Sequence, residues 1–374
     1  MNQGVQRISY LDSMRGVAAF SVLIYHFMFS LDNFNYWQGK TVQHWLSCVF
    51  NGSDAVSFFF VLSGLVLSYR YFNPPQESVQ IHYKKFIVQR LFRIFPAYIV
   101  MLIGSFLYAH REELSLAFIY EAVFLHDYQF VQEIILFRNY ASLYTPGWTL
   151  SVELVMSFLV PVLVIIIYKA PRTFSYLIPI SILLSAFISA FIFHFMLGVW
   201  LGKNYKRIQE YAFNQSSWYR FRYLIYILVL AFLSIRHIDR VYPLENIYYY
   251  LNHYLGLDFF HVTGLASFLI LCKAINDSAW QRILNFSLFR FLGTISYSIY
   301  LTHWFVIFYL YVPQPKDIAG LLGLSDHIYQ AGFIFCVGIT LVLSIVFYYT
   351  IEQPFNRIGK SIARRLNEQA ESIT

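Results

Sequence analysis

Ten stretches of this chain are apolar for long enough to cross, or nearly cross, a bilayer: residues 14–31, 54–72, 92–109, 148–168, 174–190, 191–202, 222–236, 254–272, 289–311 and 328–350. Nothing else in the sequence limits the fold as strongly. In hydrocarbon each backbone N–H and C=O must find its partner inside the chain, and a run of about 20 apolar residues does so as a helix. The expected fold class is all-α: a polytopic integral membrane protein of about ten transmembrane helices, in a single domain over residues 1–374. Only 13% of residues are charged and the mean hydropathy is +0.52, whereas a soluble domain is about one quarter charged. Residues 174–190 and 191–202 are short for two crossings and are expected to be short, tilted or re-entrant. Eight crossings result if they do not cross. Residues 113–126, apolar but interrupted by Glu121, read as an interfacial helix.

The cations sort by side. Of the 27 lysines and arginines, only Lys40, Arg111, Arg138, Arg236, Arg240 and Lys316 fall in the alternate set of loops. Positive charge is retained on the cytoplasmic face, so both termini are expected in the cytoplasm and the number of crossings is even. Residues 356–374 then form a short basic cytoplasmic tail. A net charge of +7 otherwise suggests nucleic acid, but the cations fall in short clusters between apolar spans, which retention on the cytoplasmic face explains better, and no nucleic acid partner is expected. Tyr248, Tyr249 and Tyr250 suit a headgroup boundary. Cys48, Cys272 and Cys336 are isolated, with neither metal-ligand spacing nor a disulfide framework. No small-residue cleavage site follows the first span, so it is expected to be retained.

Arg15 and His26 share that first span. Eleven steps of about 100° bring them to one helix face, roughly 16 Å apart along the axis. A lone residue of either kind reads as an anchor or a satisfied core group. Together, with Asp12 one turn before Arg15, they suggest chemistry: a neutral imidazole in a low-dielectric cavity can take a proton from a hydroxyl, and an arginine suits phosphate. Arg90 and Arg93, three apart and followed by Pro96, form a fork able to grip an anion at the cytoplasmic mouth; alternatively they are two positive-inside anchors. Ser63 precedes Gly64, a pair that reads equally as tight helix packing, and no nucleophile elbow surrounds it. Trp148 is an interfacial anchor on a span opening from the outer side. Glu153, one turn further in, has no short route back to water and points to a polar cavity. Ser296, Tyr300 and His303 fall near one helix face. Glu352-Gln-Pro354 is expected to stop the last span.

These residues resemble the acyltransferase 3 family of bacterial membrane O-acyltransferases. The likeness lies in Leu11-Asp12-x-x-Arg15-Gly16 with His26 eleven residues beyond Arg15, Phe58-Phe59-x-x-x-Ser63-Gly64, Arg90-x-x-Arg93-Ile94-x-Pro96, Trp148-x-Leu150-Ser151-x-Glu153, Ser296-Tyr297-Ser298-x-Tyr300-Leu301-x-His303 and Glu352-x-Pro354. It runs from about residue 7 to 356. Ser13-Met14 stands where Gly-Leu is more usual, and Leu154 where a second acidic residue is common. The resemblance implies transfer of an acyl group, often acetyl from acetyl-CoA, to a hydroxyl of a surface or exported glycan such as a lipopolysaccharide O-antigen or exopolysaccharide. The catalytic residues would be His26, as base or acyl relay, and Arg15, helping to hold the donor or polarise the site, with Arg90 and Arg93 near the donor's phosphates. Asp12, Ser63, Trp148, Glu153, Tyr300 and His303 would have supporting roles. No bound cofactor and no metal are implied. The partners would be membrane lipid, acyl-CoA and a carbohydrate or glycolipid acceptor in the bacterial cytoplasmic membrane. No hydrolase-like domain is expected after the last span. A transporter or flippase accounts equally for the helices and buried titratable groups. It leaves the paired arginines unexplained, and the sequence lacks the internal repeat common in such proteins.

Overall fold

The computed structural model describes residues 8–32, 50–73, 83–115, 144–187, 189, 191–211, 227, 229 and 259–371. Among these the regular structure is entirely helical. The helices are α1 (Ser9–Asp32), α2 (Gly52–Phe72), α3 (Tyr83–Ala109), α4 (Gly147–Lys169), α5 (Phe174–Phe187), α6 (Phe191–Glu210), α7 (Phe259–Asn276), α8 (Ser278–Leu284), α9 (Ser287–Thr294), α10 (Ser296–Phe305), α11 (Pro315–Leu321), α12 (Ile328–Phe347) and α13 (Gln353–Glu371). Among the described residues, five helices are long and apolar enough to cross a membrane, or up to seven if each of two bent pairs counts as one span. All of the expected segment 222–236 except residues 227 and 229, the interfacial stretch from residue 116 onward, Cys48 and the tyrosines at 248–250 lie outside the described residues. Helix α5, with 14 residues, is too short to cross unaided, as its sequence predicts.

The chain packs as two compact units. One comprises Met1–Tyr25, Gln38–Ile81 and Met156–Thr294; the other comprises His26–Trp37, His82–Val155 and Ile295–Thr374. Helices α1 and α4 each contribute residues to both.

In the first unit, small residues let helices approach closely, the usual means of packing where lipid removes the hydrophobic drive between helices. A methyl group on Gly64 of α2 would run into the backbone of α6 at Phe195, and one on Gly198 would run into Val61 of α2. Ser63 is buried beside this seam, and Ser68 turns its hydroxyl back to the Gly64 carbonyl at 2.7 Å. The packing reading of Ser63-Gly64 is the one the seam supports. At the start of α2, Asn51 accepts from the backbone N–H of Ser53 and Asp54. Helix α1 crosses α9 just as tightly, Gly16 against the backbone of Gly293. The Tyr10 and Tyr205 hydroxyls meet at 2.6 Å, and Arg15 pairs with Asp12 at 3.0 Å.

Two expectations about the spans are corrected. The segment 289–311 is not one straight span: Ser287–Thr294 and Ser296–Tyr311 meet at 65°. Ile295, at φ −97° and ψ 10°, leaves the helical region there. Nor does Glu352-Gln-Pro354 stop the last span. The chain stays helical from Ile328 to Leu366, 39 residues, with a π-turn at Tyr348–Glu352. That wider turn makes room for the proline ring, and the N–H that Pro354 lacks falls in the first turn after it. Residues 356–371 of the expected tail continue this helix as part of α13.

Candidate functional site

The second unit gathers most of the polar residues that the sequence singles out. His26, on α1, is half-buried, and His303, on α10, is fully buried. His303 Nε2 lies 3.0 Å from His26 Nδ1, and His303 Nδ1 lies 3.2 Å from the Ile299 carbonyl one turn back. The rings stack at 5.1 Å between centroids, and Trp304 meets His26 edge-on at 5.2 Å.

For two neutral rings, these distances admit one proton order. A backbone carbonyl only accepts, so His303 Nδ1 carries the hydrogen and donates it. A neutral ring then has only a lone pair at Nε2, which must receive its bond from the Nδ1–H of His26. The basic lone pair of His26 is therefore on Nε2. An imidazole held in one tautomer by a second group is the arrangement general-base and nucleophilic catalysis require.

Tyr300 sits one turn below His303, ring to ring at 5.7 Å. Its hydroxyl meets Thr149 Oγ1 at 2.6 Å, and both hydroxyls can donate to the Pro146 carbonyl, Thr149 at 3.0 Å and Tyr300 at 3.5 Å. Tyr144, also buried, donates to the Leu301 carbonyl. The turn that opens α4 is thus tied to the helix carrying His303. Trp148, in that first turn, is half-buried.

Glu153 and Arg90 pair at 3.7 Å, with the arginine side chain 10% exposed and the glutamate 26%. Arg90 also lies over the Phe86 ring at 5.8 Å. Arg90 and Glu153, expected near opposite ends of their spans, thus lie side by side. Seven residues into α3 and six into α4, each is about 10 Å from its helix start, and the two meet in the interior. Burial of both charges without a partner would cost several kcal/mol, so each is the reason the other is tolerated. Arg93, one turn on, is half-buried.

Ser298 donates to Glu352 at 2.7 Å, and Thr302 meets Ser344 at 2.7 Å. Both bonds join α10 to the last long helix. Tyr297 donates to the Ile94 carbonyl of α3 at 2.8 Å. Immediately after His303 the helix widens into a π-turn, Val306–Tyr311, a distortion that often accompanies functional sites. Sequence reading passes over Thr149, Tyr144, Ser298 and Glu352 as site residues. The serine and threonine pattern every fourth residue on α10 was the available signal for Ser298 and Thr302. Tyr144 had none. Asp12, Arg15 and Ser63 belong to the other unit.

The family model of acyltransferase 3, described as an acyltransferase domain, matches residues 8–349. Among curated proteins nothing matches, and among solved structures nothing matches.

Proposed function

We propose that this chain, which belongs to the acyltransferase 3 family, transfers an acyl group from a cytoplasmic acyl-CoA to a hydroxyl of a carbohydrate. Acetyl-CoA is the simplest donor. A surface or exported glycan, such as a lipopolysaccharide O-antigen or exopolysaccharide, is the acceptor class, and the bacterial cytoplasmic membrane with both termini inside is the setting. The observation that carries the reading is the His26–His303 pair, which leaves His26 Nε2 as a lone-pair base.

His26 Nε2 takes the acceptor hydroxyl proton as that oxygen adds to the thioester carbonyl. The C–S bond then breaks, and the proton passes from His26 to the leaving sulfur, giving free coenzyme A and the ester. If the acyl group instead rests on the imidazole first, the same nitrogen carries it. His303 is a positioning residue. Tyr300, Thr149 and Tyr144 hold the helix of His303 to the start of α4. Arg90 and Arg93 act on the donor phosphates, and Arg15, eleven residues before His26 on the same helix, helps to hold the donor.

The test is transfer from radiolabelled acetyl-CoA to candidate glycans by purified full-length protein. His26→Ala abolishes transfer while the protein remains folded and membrane-inserted. Wild-type rates in that variant would remove His26 from the chemistry, and a wild-type protein that neither binds nor consumes acetyl-CoA would remove the donor. Arg90→Ala with Arg93→Ala weakens donor binding; unchanged affinity would discard their role.

A further inference from the structure

Helix α13 carries a row of cations that the proposed reaction has not used. Three sets of contacts establish how it runs. Tyr297 bonds Ile94 and Tyr108 packs on Phe305 and Tyr309, so α3 and α10 run in the same direction. Thr302 meets Ser344 and Ser298 meets Glu352, so the helix leading into α13 runs the opposite way. Helices α3 and α13 are therefore antiparallel. They pack along a seam in which Gly359 faces Phe92 and Ala363 is fully buried.

At about 100° per residue, Arg357, Lys360 and Arg364 form one row roughly 100–160° around α13 from Gly359. Ile358, Ile362 and Leu366, all exposed, form the opposite flank. On α3, Arg93 stands about 100° on from Phe92. Antiparallel helices seen from one end turn in opposite senses, so advancing from the shared seam leads to the same side on both. Arg93, the buried face of α3 at Arg90, Ile94 and Ala97, and the α13 cations therefore share one side, while the isoleucines face outward. This division has a physical reason: a helix at the edge of a bilayer turns its apolar flank to lipid and its cations to water or an anion.

Ser298 lies level with Glu352 through their bond. His303 is five residues beyond Ser298, and Lys360 is eight residues beyond Glu352 in the other direction. The axial separation of His303 and Lys360 is thus about 20 Å at 1.5 Å per residue, a gap that the extended pantetheine arm of coenzyme A can bridge. We propose that Arg357, Lys360 and Arg364, together with Arg93, bind the phosphates at the nucleotide end of the acyl-CoA donor. The inference rests on the acyl-CoA reading above and adds the C-terminal helix to the donor site. Anionic lipid headgroups offer the same phosphate chemistry, so the test separates the two sources.

The full-length protein in phosphatidylcholine nanodiscs is titrated with acetyl-CoA and with 3′-dephospho-acetyl-CoA. Replacing all three residues (Arg357→Gln, Lys360→Gln, Arg364→Gln) raises the Kd for acetyl-CoA about tenfold and leaves kcat at saturating donor unchanged. Wild-type protein prefers acetyl-CoA to the dephospho form, and the triple variant loses that preference. The charge-conserving triple variant (Arg357→Lys, Lys360→Arg, Arg364→Lys) restores affinity, which excludes misfolding as the cause. Ile358→Gln with Ile362→Gln, on the opposite flank, leaves it unaltered. If wild type binds acetyl-CoA and the triple Gln variant binds it equally well, the inference is overturned and the donor reading stands. If the variant instead loses only a response to phosphatidylglycerol added to the nanodiscs, the cations read lipid and the inference is again overturned. If wild type binds no acyl-CoA, the donor reading itself fails.

Discussion

Replacement of His303 by asparagine and by glutamine gives opposite results if the proton order at the histidine pair is correct. The carboxamide of asparagine overlays the Nδ1 end of an imidazole and keeps the contact to Ile299, but does not reach His26. Glutamine carries its oxygen to the Nε2 position, 3.0 Å from His26 Nδ1, and can still accept. Asparagine therefore removes the bond that holds the tautomer of His26, and glutamine retains it. A hydrogen bond to a group that becomes charged in the transition state contributes about 1.5–3 kcal/mol, which is roughly 10- to 150-fold in kcat. His303→Asn is expected to lower kcat by about that factor, with KM for donor and acceptor nearly unchanged. His303→Gln is expected to stay within about fivefold of wild type. Because His303 is fully buried, thermal unfolding and size-exclusion profiles are recorded for both variants, so that a folding defect is not read as a catalytic one. Equal kcat values for two folded variants, or a wild-type rate for His303→Asn, would refute the proton order.

Three further outcomes follow from the packing. Gly198→Leu drives a side chain into the backbone of α2 and is expected to destabilise the protein by about 1–3 kcal/mol, seen as a lower unfolding temperature in detergent; an unchanged temperature would mean the seam is looser than described. For Arg90 and Glu153, either single neutralisation leaves a charge without this partner. Arg90→Met with Glu153→Gln should recover about 1–3 kcal/mol relative to the sum of the singles, measured as a double-mutant cycle on unfolding; additive losses would mean the pair is not coupled. Single cysteines at Lys360 and Lys316 in a cysteine-free background should be labelled by impermeant maleimide from opposite sides of the membrane, and labelling of both from one side would reject the orientation drawn from the charges.

The membrane class, the first helix and the position of Asp12 one turn from Arg15 were legible because hydropathy and helical spacing are local properties. So was the grouping of Tyr300 with His303, one turn apart on one helix. The bond between His26 and His303 joins residues 277 positions apart, and no spacing within either helix encodes it. The pairing of Arg90 with Glu153 likewise joins two helices, so spacing within either one does not encode it. The proline after Glu352 was read as a stop because proline removes an intrahelical bond. Whether a helix absorbs that loss depends on a turn type that composition does not reveal.

The π-turn at Tyr348–Glu352 also has a consequence for register. On α12 the buried face follows Cys336, Thr340 and Ser344, and on α13 it follows Gly359 and Ala363. Nineteen steps of about 100° separate Thr340 from Gly359, five turns and about 100° over, an excess of one residue. A π-turn holds one residue more than an α-turn, so it absorbs that excess and brings both faces inward. The last helix thus contains an in-phase insertion. Deleting one residue between Tyr348 and Glu352 would leave its length nearly unchanged yet turn everything beyond by a quarter-circle or more, carrying Arg357, Lys360 and Arg364 away from their present side. The chain can tolerate substitutions there far more readily than a change in count.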